Sequence, residues 1–521
     1  MLYGEQIPTE GTAQSPCWIQ NARVLDASCK MPVELFPPVA LRATIERYHR
    51  GRRKTRIFNH SINAYGFCRT RYMSAWAAEI DVISAQLDVL VIQSSGNLPD
   101  NGVGPYLGTA DHLSAGRVYP DYLQQNSCRI ANPAQSLQAL TVGSIAYGPF
   151  EQEAWRSFAS EPNQPSAFSR TGFGIWGVIK PEVVEYGGDC LISGTTEPMV
   201  DTPQLGRSCY PELVRSTMFP PGPAVDRDEV GTSFAAPKVA HIAAMLQQIL
   251  PDESSLLYRA LIVQSANWPD WAARLLSQLS EDDVDIDQET RQRLRAQARA
   301  ALRCLGFGIP DESRATANDD YRTTYITDGE RFIKARECHI YQVPIPSELR
   351  GQADEYDIKI EVTLSYVAQP RRTRRNLRRY LSTWVDWKSS KLGEPLDVFR
   401  RRAIRDEDTG SREGGEVFPW VLHELPQAGI IRDAKRNAGT VQKDWAVTKS
   451  NRLPDHFCIA VVGHEGWSKD PDSAASYALA VSFEILGQEI PIYEPMLIAL
   501  EELQAEVEEE VQAEVAIDIE E

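Results

Sequence analysis

The hydrophobic periodicity of this chain switches near residue 323, and the switch restricts it to folds that join two kinds of sheet. Before that point, short apolar runs alternate with segments of helical spacing. RIFNHSIN (56–63) and VLVIQSS (89–95) read as strands flanking a helix over SAWAAEIDVISAQLD (74–88), and LTVGSIAYG (140–148) adds another strand. IQNARVLD (19–26) reads as a short, partly buried strand and VALRATIERYHR (39–50) as a helix. Such alternation implies strand–helix–strand crossovers on a mostly parallel sheet. Further helices are predicted from Ser233 to Ile249, stopped by Pro251, from Leu256 to Ser265, and up to Leu305, where Gly306 is placed to cap. Beyond residue 323 the period is two. DIKIEVTLSYV (357–367) sets Ile358, Ile360, Val362, Leu364 and Tyr366 against polar partners, and YALAVSFEIL (477–486) repeats the pattern. The predicted fold class is α/β: a parallel-sheet domain over 1–322, an antiparallel β-sandwich over 323–492, and an acidic tail over 493–521 that is helical at best.

Charge and cysteine usage exclude several classes of function. Lys and Arg number 54 against 72 Asp and Glu, a net charge of −18, which argues against nucleic acid or an anionic membrane as a partner. No run of about 18 apolar residues is present to span a bilayer. The nine cysteines are scattered and never spaced C-x-x-C, as suits thiols in a reducing cytoplasm, and MLYGEQIPTEG lacks the profile of a signal peptide. Two basic clusters stand out. RYHRGRRKTR (47–56) reads as a solvated helix end and loop; Arg371, Arg372, Arg374, Arg375, Arg378 and Arg379 read as forks for carboxylates, in this domain or on a partner. The acids of EDDVDIDQET (281–290) suit a helix N-terminus better than a calcium loop, since Gln288 stands where such a loop needs glycine. No metal-ligand cluster emerges, and no cofactor is expected.

The stretch GTSFAAPKVAH (231–241) carries the chemistry. Gly231 permits a tight turn, Ser233 sits where free N–H groups and the helix dipole favour an oxyanion, Ala235 and Ala236 allow close packing, and Pro237 is expected within the first helical turn. A serine or threonine there also serves as a routine N-cap.

GTSFAAPKVA resembles the nucleophile motif of the subtilisin-like serine peptidases, the subtilases or peptidase S8 family. The resemblance runs in order through VIQSSGN (91–97), LTVGSIAYG, AFSRTG (167–172), IKPEVVEYGGD (179–189) and GFGIPD (306–311), and covers roughly residues 15–320. It implies a serine endopeptidase with Ser233 as nucleophile and Asn97 in the oxyanion hole. By position, Ser61, Ile62 and Asn63 would line one side of the substrate cleft, and Ser94, Ser95 and Gly96 the other; Asn63 stands where the family usually has glycine. The family orders its triad Asp, His, Ser. Both earlier motifs would precede IQNARVLD, so the expectation is an N-terminally truncated member whose chain alone is close to inert. None of the eight histidines precedes Gly-Thr or Gly-His; His241 is expected in packing and His60 in a strand. The resemblance further implies polypeptide substrates, possible calcium with no ligands to name, and an AAA-type ATPase as partner. The alternative reading is a non-catalytic peptide-binding protein that keeps the cleft.

Overall fold

In the computed structural model, the described residues are 15, 17–28, 30–194, 199–202, 210, 212–214, 229–280, 286–350, 355–371, 376–404, 417–487 and 490–504. β1 (Ile57–His60), β2 (Leu90–Ser94) and β3 (Leu140–Ile145) lie side by side and parallel. After the short strands β4 (Glu151–Gln152) and β5 (Trp155–Ser157), β6 (Val183–Tyr186) completes the sheet in the order β1-β2-β3-β6. Ile57 pairs with Leu90, Ile92 with Leu140, and Val142 with Val183. β2 and β3 are buried along their whole length, which is why they read as apolar runs rather than alternating ones. β4 and β5 join β7 (Leu191–Ser193) and β8 (Met199–Asp201) in a small antiparallel sheet.

Helices cover the parallel sheet. α1 (Pro37–His49) packs on α2 (Ala75–Gln86), whose Ser74 cap accepts from the Ala77 N–H, and α3 (Thr109–Ser114) follows β2. α4 (Thr232–Ile249) crosses β1, β2, β3 and β6. α5 (Ser255–Ser265) is buried throughout because it lies between that layer and the second sheet system. α6 (Asp270–Ser280) and α7 (Gln288–Leu305) pack together. Asp287 caps α7, accepting from the Thr290 N–H at 2.8 Å, so this acid serves a helix terminus as expected; residues 281–285 lie outside the described residues. Gly306, at φ +56°, ends α7 by donating to Leu302 O.

After the short helix α8 (Glu312–Thr316), the chain turns to antiparallel strands: β9 (Arg322–Ile326), β10 (Arg331–Lys334), β11 (Cys338–Pro344), β12 (Asp357–Val367), β13 (Thr383–Ser389), β14 (Val441–Lys449), β15 (His456–Glu465) and β16 (Ala474–Ile485), with α9 (Leu377–Tyr380) and α10 (Leu396–Ile404) between them. One sheet runs β10-β16-β12-β14, with β9 also on β16; the other runs β11-β15-β13. Ile358, Ile360, Val362 and Leu364 of β12 share one core with Val385, Trp387, Phe457 and Ile459 of the facing sheet. The alternate residues of β12 face protein rather than water. Glu361 and Thr363 meet α5, where Gln264 Nε2 donates to Ser482 Oγ at 2.7 Å and Lys443 Nζ donates to the carbonyls of Gln264 and Ala266 at 2.9 and 2.6 Å.

One expectation about the fold needs correction. Residues 19–26 form no strand: Ile19, Gln20, Asn21, Ala22 and Val24 line a cavity beside β1, and Asn21 O accepts from Tyr48 OH at 3.0 Å, but they form no ladder with it. Within the acidic tail, 493–504 is helical and Met496, like Ile492 just before it, is fully buried against the sandwich core; residues 505–521 lie outside the described residues. Arg371 and Arg378 lie over the rings of Trp467 and Trp384 at 5.1 and 4.7 Å, while 372–375 lie outside the described residues. Among the described residues no helix is long and apolar enough to cross a membrane.

Candidate active site

Gly231 adopts φ +151°, which a side chain rarely tolerates, and its N–H donates to Gly187 O at 2.8 Å. That turn delivers Thr232 and Ser233 to the start of α4 at the C-terminal edge of the parallel sheet. Pro237 is the sixth residue of α4, beyond the first turn, so the expected placement is corrected. It cannot donate to the carbonyl four residues earlier, which is that of Ser233. Ser61 Oγ, 3.4 Å away, donates to this orphaned oxygen instead. In return the Ser233 hydroxyl donates to Ser61 O at 3.3 Å. The two serines tie the end of β1 to the start of α4.

Asn97 stands opposite. Its Oδ1 accepts from both the Thr232 N–H (3.0 Å) and the Thr232 hydroxyl (2.8 Å), which fixes the amide, and a Cβ on Gly231 would come within 3.0 Å of its Nδ2. Gly96 precedes it at φ +96°, and a Cβ there would come within 2.7 Å of Ala131. Arg170, only 1% exposed, holds this loop from behind. It donates from Nε to Asn97 O (3.1 Å), from Nη1 to Ser127 O (3.0 Å) and Arg129 O (3.1 Å), and from Nη2 to Tyr65 O (3.5 Å). Burial pulls its pKa below the ordinary arginine value.

These groups surround a cleft of 310 Å³ lined by Ser61, Asn63, Ala64, Tyr65, Gly96, Asn97, Thr232 and Ser233, among others. Ser233, Asn97, Ser61, Asn63 and Gly96 therefore meet in one cleft. Ile62 faces a separate cavity, and Ser94 and Ser95 are buried behind the wall, where Ser94 Oγ accepts from Asn63 Nδ2 at 2.6 Å. The sequence reading did not single out Tyr65, Thr232 or Arg170. Thr232, adjoining Ser233, was open to detection; Arg170 was not, since only the folded loops bring its four carbonyls together.

No histidine or carboxylate bonds the Ser233 hydroxyl among the described residues. His60 directs Nδ1 to Gln93 Oε1 at 2.6 Å and its ring to Trp76, and burial lowers its pKa. His241 faces Glu312 Oε2 at 3.3 Å. Nor does any group of three or more His, Cys, Asp or Glu among the described residues suit a metal ion.

A parallel sheet crossed by a helix that starts on a glycine-turned serine, with an asparagine lining the same cleft, makes this an α/β protein. Residues 37–308 match the model of the Subtilase family, Peptidase_S8, and the chain belongs to that family. It is 29% identical over 439 residues to the uncharacterised protein y4bN of Sinorhizobium fredii, covering 81% of this chain and 90% of that one. Among solved structures it is similar to MycP1 from Mycobacterium smegmatis (17% identity, 54% of this chain and 55% of that one, TM-score 0.28). It is also similar to the epidermin leader peptide processing serine protease EpiP from Staphylococcus aureus (13%, 56% and 56%, 0.27). The chain thus spans little more than half the length of these two proteases.

Proposed function

We propose that this protein is a subtilisin-like serine endopeptidase whose Ser233 forms the acyl-enzyme, with its own N–H and the Asn97 amide stabilising the oxyanion. The observation that supports this reading is the shared cleft that Ser233 and the Thr232-anchored Asn97 both line. Attack of Ser233 Oγ on a peptide carbonyl requires a base to take the hydroxyl proton and return it to the leaving amine. The described residues supply none, so the chain by itself is close to inert. In the subtilisin type, loss of the histidine costs about 10⁶ in turnover, whereas the oxyanion amide is worth about 10²–10³. Polypeptides lying along Ser61–Asn63 are the substrates, the cytoplasm is the compartment its thiols suit, and an AAA-type ATPase is the partner the family resemblance points to.

The test is a fusion that places the Asp- and His-bearing segment of an active subtilase ahead of residue 15. Cleavage of unfolded casein should appear, vanish with Ser233→Ala, and fall about 10²–10³-fold in kcat with Asn97→Ala at nearly constant KM. A fusion that folds cooperatively yet cleaves nothing would favour a peptide-binding protein on the same scaffold.

A further inference from the structure

The cleft is continuous with a basic face of the molecule. Tyr65, 56% exposed, lines the cleft, and two residues on Phe67 bridges to Ala131, with the Arg129 guanidinium over its ring at 5.6 Å. Arg69 and Arg71 follow, both exposed. Thr70, between them, accepts from the Trp176 N–H at 3.5 Å, and the Trp176 ring lies 5.4 Å from that of Tyr380. This contact brings in the arginines of the β12–β13 connection. Arg378 and Arg379 immediately precede Tyr380, whose carbonyl accepts from the Arg371 N–H at 2.6 Å. The stretches that meet here, 56–78, 122–150, 162–181 and 362–385, contain neither Asp nor Glu, in a chain where those residues number 72. Arg69, Arg71, Arg371, Arg378 and Arg379 are all exposed, and none forms an ion pair among the described residues. Glu465, whose carbonyl accepts from Trp384 Nε1, places its carboxylate against Arg336 at 2.6 Å.

We propose that this face is a docking track for an acidic segment of the polypeptide that occupies the cleft. That the occupant is a polypeptide rests on the catalytic reading above; its acidity is argued from the face alone. Guanidinium forks without a carboxylate of their own accept one in two parallel hydrogen bonds. Arg371 and Arg378 are moreover laid on the rings of Trp467 and Trp384, so less side-chain freedom is lost when a carboxylate arrives. In a chain of net charge −18, such a track is where an acidic segment meets attraction rather than repulsion. A long polynucleotide would overrun it onto acidic surface.

The experiment uses the full chain and fluorescein-labelled hexaglutamate, read by anisotropy. Binding should weaken about tenfold between about 50 and 300 mM salt, because exposed charges are screened. Arg69→Glu with Arg71→Glu, and Arg378→Gln with Arg379→Gln, should each weaken it about tenfold without lowering the melting temperature. Arg52→Glu with Arg53→Glu reverses the same charge on the turn between α1 and β1, away from the track, and should change binding by less than about twofold. Joining the hexaglutamate to a neutral unfolded segment should add protection from hydrogen exchange at 64–66, beside the cleft. A chain ending at Gln504 should bind the probe as the full chain does; tighter binding would assign the track to the chain's own acidic end and overturn the proposal. So would absence of binding, equal weakening by the Arg69/Arg71 and Arg52/Arg53 pairs, no added protection at 64–66, or tighter binding of an oligothymidylate than of hexaglutamate. Cleavage plays no part in this measurement. Track-dependent binding beside an inactive fusion would sink the catalytic reading alone, and track-independent binding beside an active fusion would sink this proposal alone.

Discussion

Replacing Arg170 with methionine should loosen the cleft before it loosens anything else. Three carbonyls, those of Asn97, Ser127 and Arg129, accept from the guanidinium at 3.0–3.1 Å, and a fourth, that of Tyr65, at 3.5 Å. Hydrogen bonds to a charged donor contribute about 1.5–3 kcal/mol each, so the three short ones amount to roughly 5–9 kcal/mol. Against this stands the burial of an arginine with only neutral acceptors around it, which costs several kcal/mol and is recovered when methionine takes its place. The net loss should be about 2–4 kcal/mol. Lysine should fare little better, because one ammonium cannot span carbonyls on three separate segments. Hydrogen exchange in Arg170→Met should quicken over 64–66, 96–99 and 127–131 while β12 and β16 stay protected, and urea midpoints give the overall cost. A loss below about 0.5 kcal/mol with unchanged local exchange would refute the idea that Arg170 holds the oxyanion loop.

The seam between the two sheet systems should be acid-sensitive. Burial alone would push the Glu361 carboxyl up, but the ammonium groups of Lys359 and Lys443, each 2.9 Å from it, and Arg314 at 3.3 Å bring it down from 4.5 to about 2. A carboxylate whose pKa is lowered by folding contributes its full stability above about pH 4.5 and loses it as the pH falls towards 2. Glu361→Gln should therefore flatten the fall in urea stability between those pH values, and at pH 7 should cost about 3–5 kcal/mol by leaving Lys443 buried without its carboxylate. At the C-terminal end, Met496→Asp should destabilise the sandwich by about 3 kcal/mol, since Met496 is fully buried. A chain ending at Gln504 should melt with the full one in calorimetry, and a lower melting temperature for the shortened chain would show that 505–521 also contributes to the fold.

The parts of the fold that were legible in the sequence are those whose residues answer to one partner layer. β2 and β3 read as apolar runs because helices cover both faces, and β12 alternates because one face meets the sandwich core and the other meets α5. Residues 19–26 have strand-like composition and lie beside the edge strand β1, yet form no ladder with it, and local composition does not say which segments pair. The same limit hid the role of Pro237: its missing donor matters through Ser61, 176 positions earlier, whose hydroxyl serves the freed Ser233 carbonyl. Ser233, Asn97 and Gly96 were readable because backbone demands on a turn restrict residue type. Arg170 was not, because nothing local distinguishes an arginine that holds loops from one that meets water.

The most direct test of the central claim compares the purified chain with its Ser233→Ala variant on a fluorogenic unfolded polypeptide. If Ser233 is an oxyanion-supported nucleophile without a base in its own chain, the two rates should agree within about tenfold. A wild-type rate clearly more than tenfold above that of the variant would place a working base within residues 1–521 and contradict the account.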